Sequence, residues 1–502
     1  MTSESLTQLK ARIREITHFN EALSLMEWDL RTGAPKKGHA LRAEAIATLA
    51  AKAHALSTSA DIGEWLNELS EPAVFNALSQ VDQALVREEK KSYDLMHKIP
   101  EKLLHEYRVL TSTAQSVWED AKSANDFPSF QPYLEKIIVM KKQFIEHWGA
   151  AEHPYDLLLD QYEPGMTVAH LDAVFGDLRR DLVPFVQAIT AKGPVHDGKL
   201  FTTAYAFEQQ KTLNRQVLEV MGYDFGAGRI DSTVHPFEIT LNRYDVRVTT
   251  HYDLHDLRPT LFGTIHEGGH ALYEQGISPD LIGTSLSMGT SMGIHESQSR
   301  FWENMIGRSL PFWERYYTLL QTAFPNVFNK ASLEAFYAYI NHVEPSLIRI
   351  EADEVTYNLH IMVRYELEKG LIGGEYQVAD LPQLWREKME EYLGVTPPDD
   401  AHGVLQDVHW SGGDFGYFPS YALGNLYAAQ FRHTLLKAIP NLDDEIRAGN
   451  LLVIREWLRE QIHQYGRVLQ PDELVQKVTG EPLTGQYLVA YLREKFSPIY
   501  RL

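Results

Sequence analysis

Apolar residues recur three or four positions apart over most of the chain, which is the spacing of one face of an α-helix. The first such stretch, residues 5–30, carries Leu6, Leu9, Ile13 and further apolar residues at this interval. The same spacing predicts helices over 38–57, 74–96, 100–125, 128–150, 167–192, 199–221, 310–323, 351–369, 416–437, 450–464 and 485–496. Because most of these apolar faces are expected to pack in a core, we predict a large, mostly helical body.

One stretch departs from the helical spacing. Between residues 230 and 252 the chain is rich in Thr, Val, Ile and Tyr, and apolar and polar residues nearly alternate over 244–249. Alternation of this kind is typical of a half-buried strand. We therefore predict a small antiparallel sheet embedded in a single helical domain over residues 1–502, because no repeat or long linker divides the chain.

Charge and composition exclude several classes of protein. The 502 residues include 47 Lys and Arg against 68 Asp and Glu, which gives a net charge of −21. A nucleic-acid-binding surface needs clustered positive charge, so we expect no nucleic-acid partner. The chain has no cysteine, which excludes disulfides, thiolate metal sites and a cysteine nucleophile. It has no apolar run of membrane-spanning length and no secretion signal, so we expect a cytoplasmic protein without a membrane partner.

The segment directly after the predicted sheet carries the sequence His-Glu-x-x-His on a helical pattern. His266 and His270 are four residues apart, so both imidazoles project from one face of the helix. Two imidazoles at this spacing can bind Zn²⁺, and Glu267 then lies beside the metal. The alternative is two histidines that are exposed or hydrogen-bonded within a core. Gly268 and Gly269 disfavour this alternative, because each glycine costs a helix about 1 kcal/mol relative to alanine.

A catalytic zinc needs a third protein ligand in addition to an open position. Glu296 is the candidate, because it lies on a helical pattern 26 residues after His270 (296 − 270 = 26). The small and polar residues of 283–293 suit a tight return of the chain past the metal. The alternative is a surface carboxylate that pairs with Arg300, four residues later.

The motif His-Glu-x-x-His followed by His-Glu-Ser-Gln at 295–298 resembles the carboxypeptidase Taq family of metallocarboxypeptidases. The other motifs of that family are His-Pro-Phe at 235–237, Asp-x-Arg-x-Thr at 245–249, Ile-Arg-x-x-Ala-Asp at 348–353 and Gly-x-x-Gln-Asp-x-His-Trp at 403–410. The segments around Trp28 and at 491–496 are also similar, so the resemblance covers the whole chain.

This resemblance implies a nearly all-helical fold with a long central groove, and a homodimer. It implies release of single amino acids from peptide C-termini by attack of a metal-activated water. The metal ligands carry over to His266, His270 and Glu296, with zinc or cobalt as the divalent ion, and the general base carries over to Glu267. The active site is then built from about residues 235–421.

A carboxypeptidase also has to recognise the free carboxylate of its peptide substrate. Arginine suits this task because it is always charged and binds carboxylates through two hydrogen bonds. Arg349 is the candidate, because it lies in a family motif between apolar neighbours. The alternative is an internal ion pair of Arg349 with Glu351, Asp353 or Glu354.

Three residues in or just after a stretch rich in glycine and aromatic residues are candidates for contact with the reacting groups. His409 and Tyr421 could donate hydrogen bonds to the developing oxyanion, and Tyr417 could bind the substrate. Each of the three is alternatively a packing residue. For Arg247 we favour a structural role, in an ion pair with Asp245.

His235 and His295 are candidates to orient the metal ligands through hydrogen bonds. The nearest rival function is an endo-oligopeptidase of similar shape, which does not depend on an anchor for the terminal carboxylate. A rival from another class is a peptide-binding protein without catalytic activity. The intact set of metal-binding residues disfavours that last hypothesis.

Overall fold

The computed structural model of the protein describes residues 4–196 and 198–502, and helices form most of this part of the chain. In the first half the helices are α1 (Glu4–Thr32), α2 (His39–Ser57), α3 (Ala60–Leu69), α4 (Pro72–Phe75), α5 (Gln80–His97), α6 (Glu101–Ala124), α7 (Phe127–Trp148), α8 (Asp156–Leu159), α9 (Val168–Thr190) and α10 (Phe207–Met221). Within the described ranges, no helix is long and apolar enough to cross a membrane.

The predicted sheet is present and has three strands, β1 (Ile230–Ser232), β2 (Glu238–Asn242) and β3 (Asp245–Thr250), in the order β1-β3-β2. The pairing of β2 with β3 is antiparallel, as predicted. The pairing of β1 with β3 is parallel, so the sheet is mixed rather than wholly antiparallel. The segment between β1 and β2 folds across the end of β3, where the Phe237 N–H donates to Thr249 Oγ1 at 2.8 Å.

The helices of the second half surround the centre of the molecule. They are α11 (Leu257–Gly276), α12 (Met292–Arg300), α13 (Leu310–Ala323), α14 (Pro325–Phe328), α15 (Leu333–Ile340), α16 (Tyr357–Gly373), α17 (Leu381–Leu393), α18 (His409–Gly412), α19 (Pro419–Ala438), α20 (Leu442–Ala448), α21 (Leu452–Gln461), α22 (Pro471–Thr479) and α23 (Gln486–Tyr500). A π-helical segment, Phe301–Gly307, continues α12.

Backbone hydrogen bonds outside the helical pattern, one tertiary and one local, explain where two helices begin later than the apolar spacing predicts. The helix predicted from residue 199 begins at Phe207, because the backbone N–H of Tyr205 donates to the carbonyl of Leu254 at 2.8 Å and holds the chain extended. The helix predicted from residue 351 begins at Tyr357, because Asp353 accepts hydrogen bonds from the backbone of Val355 and Thr356. The spacing also misses several shorter helices, α3, α17 and α22 among them.

Helix α11 is buried on most sides, between the sheet, α10 and α12. A Cβ atom at Gly268 would lie 2.5 Å from Leu218 of α10, and one at Gly269 would lie 2.6 Å from the carbonyl oxygen of Gln298 of α12. The two glycines therefore allow neighbouring elements to approach α11 closely. This approach offsets the intrinsic cost of glycine within a helix.

Candidate metal centre and active site

Two helices that begin with capped N-termini carry the predicted metal ligands. Asp256 accepts a hydrogen bond from Arg258 N at the start of α11, and Ser291 accepts one from Ile294 N at the start of α12. Such caps satisfy backbone donors that would otherwise lack partners. The close approach at Gly269 then fixes α12 beside the histidine face of α11.

The side chains of His266, His270 and Glu296 converge on one point. Oε2 of Glu296 lies 3.6 Å from Nε2 of His266 and 3.4 Å from Nε2 of His270. Donor atoms of a tetrahedral metal site, each about 2.0–2.1 Å from the ion, lie about 3.3 Å apart. The spacing and the chemistry of these three donors therefore fit one divalent cation.

The carboxylate of Glu303, in the π-helical segment, contacts the ring nitrogen of His266 that faces away from Glu296. Nδ1 of His266 lies 3.0 Å from Oε2 of Glu303, so Nδ1 carries a hydrogen, and Nε2 of the same ring faces Glu296. Arg300 lies between the two carboxylates and donates to Oε1 of Glu296 at 2.7 Å and to Glu303 at 3.3 Å. The pair with Arg300, which the alternative interpretation assigned to a surface carboxylate, thus forms through one oxygen of a buried Glu296, while the other oxygen is directed at the histidines.

The charges at this site suit a cation. Burial lowers the pKa of His270 to about 3, so its imidazole is neutral. Burial works in the opposite direction at Glu296, but Arg300 and His266 outweigh it and keep the pKa of that carboxylate below its usual range. Burial lowers the pKa of His266 as well, but the carboxylates of Glu296 and Glu303 outweigh it and raise that pKa. The site therefore combines the neutral imidazole of His270 with an ionised carboxylate.

Glu267 lies next to the convergent donors and is buried. Its carboxylate accepts a hydrogen bond from the backbone N–H of Glu238, at the start of β2. Burial raises the pKa of Glu267 to about 7, against the opposing effect of His266. A carboxylate with a pKa near neutrality can both accept and return a proton.

Arg349 lies in a buried cluster with Asp407, Tyr357 and Arg364. Its Nη2 is 2.9 Å from Oδ1 of Asp407, and its Nη1 donates to the Tyr357 hydroxyl at 3.0 Å. Arg364, which is 0% exposed, binds the other oxygen of Asp407. Two guanidinium groups therefore share one carboxylate, and the cluster holds one uncompensated positive charge.

The partner of Arg349 differs from the alternatives that the sequence leaves open. None of Glu351, Asp353 and Glu354 forms an ion pair with Arg349 in the described residues, and the acid that does is Asp407, which is 58 residues away. The internal ion pair exists, but it does not neutralise the cluster. Arg247 does pair with Asp245 through two hydrogen bonds of 2.7 and 2.6 Å.

His409, Tyr417 and Tyr421 lie together. Nε2 of His409 is 3.4 Å from the Tyr421 hydroxyl, and the rings of Tyr417 and Tyr421 are 5.1 Å apart. Burial lowers the pKa of His409 to about 4, so its imidazole is neutral. Gly424, one turn after Tyr421 on α19, would place a Cβ atom 2.5 Å from Cγ of Glu296, so α19 packs directly on the candidate ligand.

His235 and His295, the two histidines expected to orient the metal ligands, differ in placement. His295 contacts His270 through their Nδ1 atoms. His235 is exposed, and its orienting role stays a prediction.

Several side chains at or behind the site are not indicated by the sequence alone. They are Glu274, Glu303, Tyr357, Arg364 and Asp407. The position of Glu303 could have been inferred from local spacing. It follows Glu296 by seven residues and Arg300 by three, which places all three on the same helical face. Asp407 lies within a quoted motif, but its pairing with Arg349 follows only from tertiary structure.

The sequence is similar to those of known proteins. A family model described as carboxypeptidase Taq (M32) metallopeptidase matches residues 8–496. Carboxypeptidase 1 of Bacillus subtilis is 49% identical, with 98% of this chain and 97% of that protein aligned. Thermostable carboxypeptidase 1 of Thermus thermophilus is 43% identical, with 100% of both chains aligned.

The fold is also that of solved structures. The crystal structure of an M32 carboxypeptidase from Deinococcus radiodurans is similar with a TM-score of 0.96 and 36% identity over 100% of both chains. The match covers the whole largely helical architecture. The chain therefore belongs to the carboxypeptidase Taq (M32) family of metallopeptidases and is a metal-dependent carboxypeptidase.

Proposed function

We propose that this chain is a zinc carboxypeptidase in which His266, His270 and Glu296 hold one ion and Glu267 is the general base. The observation that carries the proposal is that one carboxylate oxygen of Glu296 lies 3.6 and 3.4 Å from the Nε2 atoms of His266 and His270, with all three donors within 4.8 Å of one another. A zinc ion bound there would polarise the scissile carbonyl and make water acidic enough to attack it at neutral pH. Cobalt is the alternative ion.

Glu267 performs the proton transfers of this proposal. It accepts a proton from the water that adds to the carbonyl carbon. It then delivers that proton to the amine nitrogen as the carbon–nitrogen bond breaks. A pKa of about 7 suits both directions of transfer, and the hydrogen bond from the Glu238 backbone keeps the carboxylate oriented.

Arg349 is the proposed anchor for the terminal carboxylate of the substrate. Its cluster holds two guanidinium groups against the one carboxylate of Asp407, so an incoming carboxylate balances the charge. Unbalanced buried charge is costly, which makes such a cluster selective for an anion. An endo-oligopeptidase has no use for this anchor.

His409 and Tyr421 are the proposed donors to the oxyanion that forms when water adds to the carbonyl. Their 3.4 Å contact and the packing of α19 on Glu296 support this role. Tyr417, whose ring lies 5.1 Å from that of Tyr421, is the proposed contact for the substrate chain.

The decisive experiment follows cleavage of an N-terminally blocked peptide by mass spectrometry. Loss of one C-terminal residue at a time, abolished by a chelator and restored by zinc, is the expected result. An otherwise identical peptide with an amidated C-terminus should be cleaved far more slowly. Equal cleavage of the two peptides contradicts the role of Arg349, and internal fragments favour the endo-oligopeptidase.

The resemblance also leads us to propose a homodimer and a cytoplasmic location. Light scattering should give twice the chain mass of 57.4 kDa. Fractionation of cells that express the chain should recover it with cytoplasmic markers.

A further inference from the structure

A chain of partly buried hydrogen bonds begins at His270. His270 and His295 contact each other through their Nδ1 atoms, and Nε2 of His295 lies 2.9 Å from Oε1 of Glu274. Glu274 is 3% exposed and follows His270 by four residues on α11. The same Oε1 accepts a hydrogen bond from the backbone N–H of Gly289 at 2.9 Å. The chain thus leads from a candidate metal ligand to a buried carboxylate.

The positions of the hydrogens along this chain follow from its chemistry. When Nε2 of His270 faces a cation, the hydrogen of that imidazole is on Nδ1 and is donated to His295. Nδ1 of His295 therefore accepts, and the hydrogen of His295 is on Nε2, where it is donated to Glu274. Each ring nitrogen of the pair then has a partner.

Packing fixes the ring of His295 in this position. The ring of Tyr273 lies 5.2 Å from it on one side. A Cβ atom at Gly289 would lie 2.5 Å from Cδ2 of His295 and 3.0 Å from Tyr273, so a larger residue there would displace the ring. The orientation of His295, and through it that of His270, is therefore defined by shape as well as by hydrogen bonds.

The two candidate ligand histidines are supported in different ways. Glu303 contacts His266 directly, at 3.0 Å, whereas a second imidazole separates His270 from Glu274. We propose that Glu274 and His295 are positioning residues that direct Nε2 of His270 at the metal ion and strengthen it as a donor. This inference rests on the proposed role of His270 as a ligand. Partners of this kind typically contribute a factor of about 10–100 to metal affinity.

Two variants test the contributions of His295 and Glu274 to metal binding, and a third is a control. His295→Phe keeps an aromatic ring and removes the acceptor for His270. Glu274→Gln retains Oε1 for both of its hydrogen bonds and removes the charge; its Oε2 has no hydrogen-bond partner within the described ranges. His402→Phe is the matched control, because His402 also contacts a carboxylate, that of Asp399 at 2.7 Å, but on the exposed surface.

The measurement is the dissociation constant for Zn²⁺, obtained by competition with a chromogenic chelator. We expect an increase of about 10–100-fold for His295→Phe, a smaller increase of at least about threefold for Glu274→Gln, and no change for His402→Phe. The visible absorption bands of the cobalt-loaded protein should shift in the first two variants.

Two results overturn the inference. One is a zinc dissociation constant within threefold of the wild-type value in both variants, and the other is an unshifted cobalt spectrum. If His295→Phe does not fold, Glu274→Gln decides the outcome alone. A wild-type protein that binds no zinc contradicts the proposed function as well, whereas normal wild-type binding with unaffected variants contradicts this inference alone.

Discussion

Replacement of Glu368 by glutamine should destabilise the protein at acidic pH and much less at alkaline pH. Glu368 lies on α16 and is 0% exposed. Its Oε1 accepts a hydrogen bond from Trp410 Nε1 at 2.7 Å, and its Oε2 accepts one from the backbone N–H of Gly416 at 2.9 Å. These two donors are the chain neighbours of His409 and Tyr417, so this one side chain holds residues 409–417 in place.

The magnitude follows from counting acceptors. At pH 5 the native carboxyl group is protonated, but both of its oxygens can still accept hydrogen bonds. Glutamine has one acceptor oxygen, so its NH₂ group has to face either the Trp410 or the Gly416 donor, and that donor loses its partner. The hydroxyl of Tyr155, which also donates to Glu368, can reverse its role and accept. A buried donor without a partner costs about 1–3 kcal/mol.

Ionisation of the native side chain opposes this loss at higher pH. Burial raises the pKa of Glu368 to about 7, although the three donors act against it. A carboxyl group with a raised pKa in the folded state contributes stability below the unfolded value of about 4.5, and that contribution is lost as pH rises through about 7. The loss is about 3 kcal/mol, which matches or exceeds the cost of the unpartnered donor.

The assay compares chemical unfolding of wild type and Glu368→Gln at pH 5 and pH 8. The variant should be about 1–3 kcal/mol less stable at pH 5, and the difference should disappear or reverse at pH 8. Glu375→Gln, at an exposed position just after the same helix, is the matched control and should change nothing at either pH. A variant as stable as wild type at pH 5 refutes the donor argument, and an equal difference at both pH values refutes the ionisation argument.

Four further predictions concern the active site. Glu267→Gln should retain zinc, measured by elemental analysis, and lose about 10²–10⁴-fold in turnover; a metal-loaded variant with normal turnover would contradict its role as the base. Arg349→Ala should raise KM by about 30-fold or more for peptides with a free C-terminus and leave amidated peptides unaffected; a parallel change for both substrates would count against the anchor. Gly269→Ala should destabilise the protein by about 1–3 kcal/mol and weaken zinc binding, because the new Cβ would lie 2.6 Å from the Gln298 carbonyl. Removal of zinc present at 100 times its dissociation constant should lower the unfolding free energy by about 2.7 kcal/mol, and equal thermal midpoints with and without a chelator would show that the ion does not bind the folded state.

The parts of the site that could be predicted from the sequence are those set by local geometry. His266, Glu267 and His270 lie on one helix, so their spacing alone places them together. The prediction that Glu296 is the third ligand required one assumption, that the chain returns past the metal. The close approach of α12 at Gly269 is the physical basis of that return. Gly269 already indicated in the sequence that another element packs closely on this helix, because glycine only destabilises an isolated helix.

The other features of the fold and the site depend on contacts between segments that are distant in sequence. The parallel pairing of β1 with β3 is set by the path of residues 233–237, which no alternation of apolar and polar residues encodes. Asp407 could be seen as part of a motif, but nothing local indicates that it pairs with Arg349 and Arg364 rather than with solvent. Roles that are defined by a hydrogen-bond partner therefore required the structure, whereas roles defined by spacing did not.

Tyr357 connects the two halves of the proposed active site. Its hydroxyl accepts a hydrogen bond from Arg349, and its ring lies 4.5 Å from the guanidinium of Arg300, which in turn binds Glu296. The proposed carboxylate anchor and the proposed metal ligand are thus joined through a single buried side chain. An exopeptidase that removes one residue at a time needs a fixed distance between the bound carboxylate and the scissile carbonyl. A rigid aromatic ring between the two sites supplies that distance without a flexible loop, because its position is set by packing rather than by substrate.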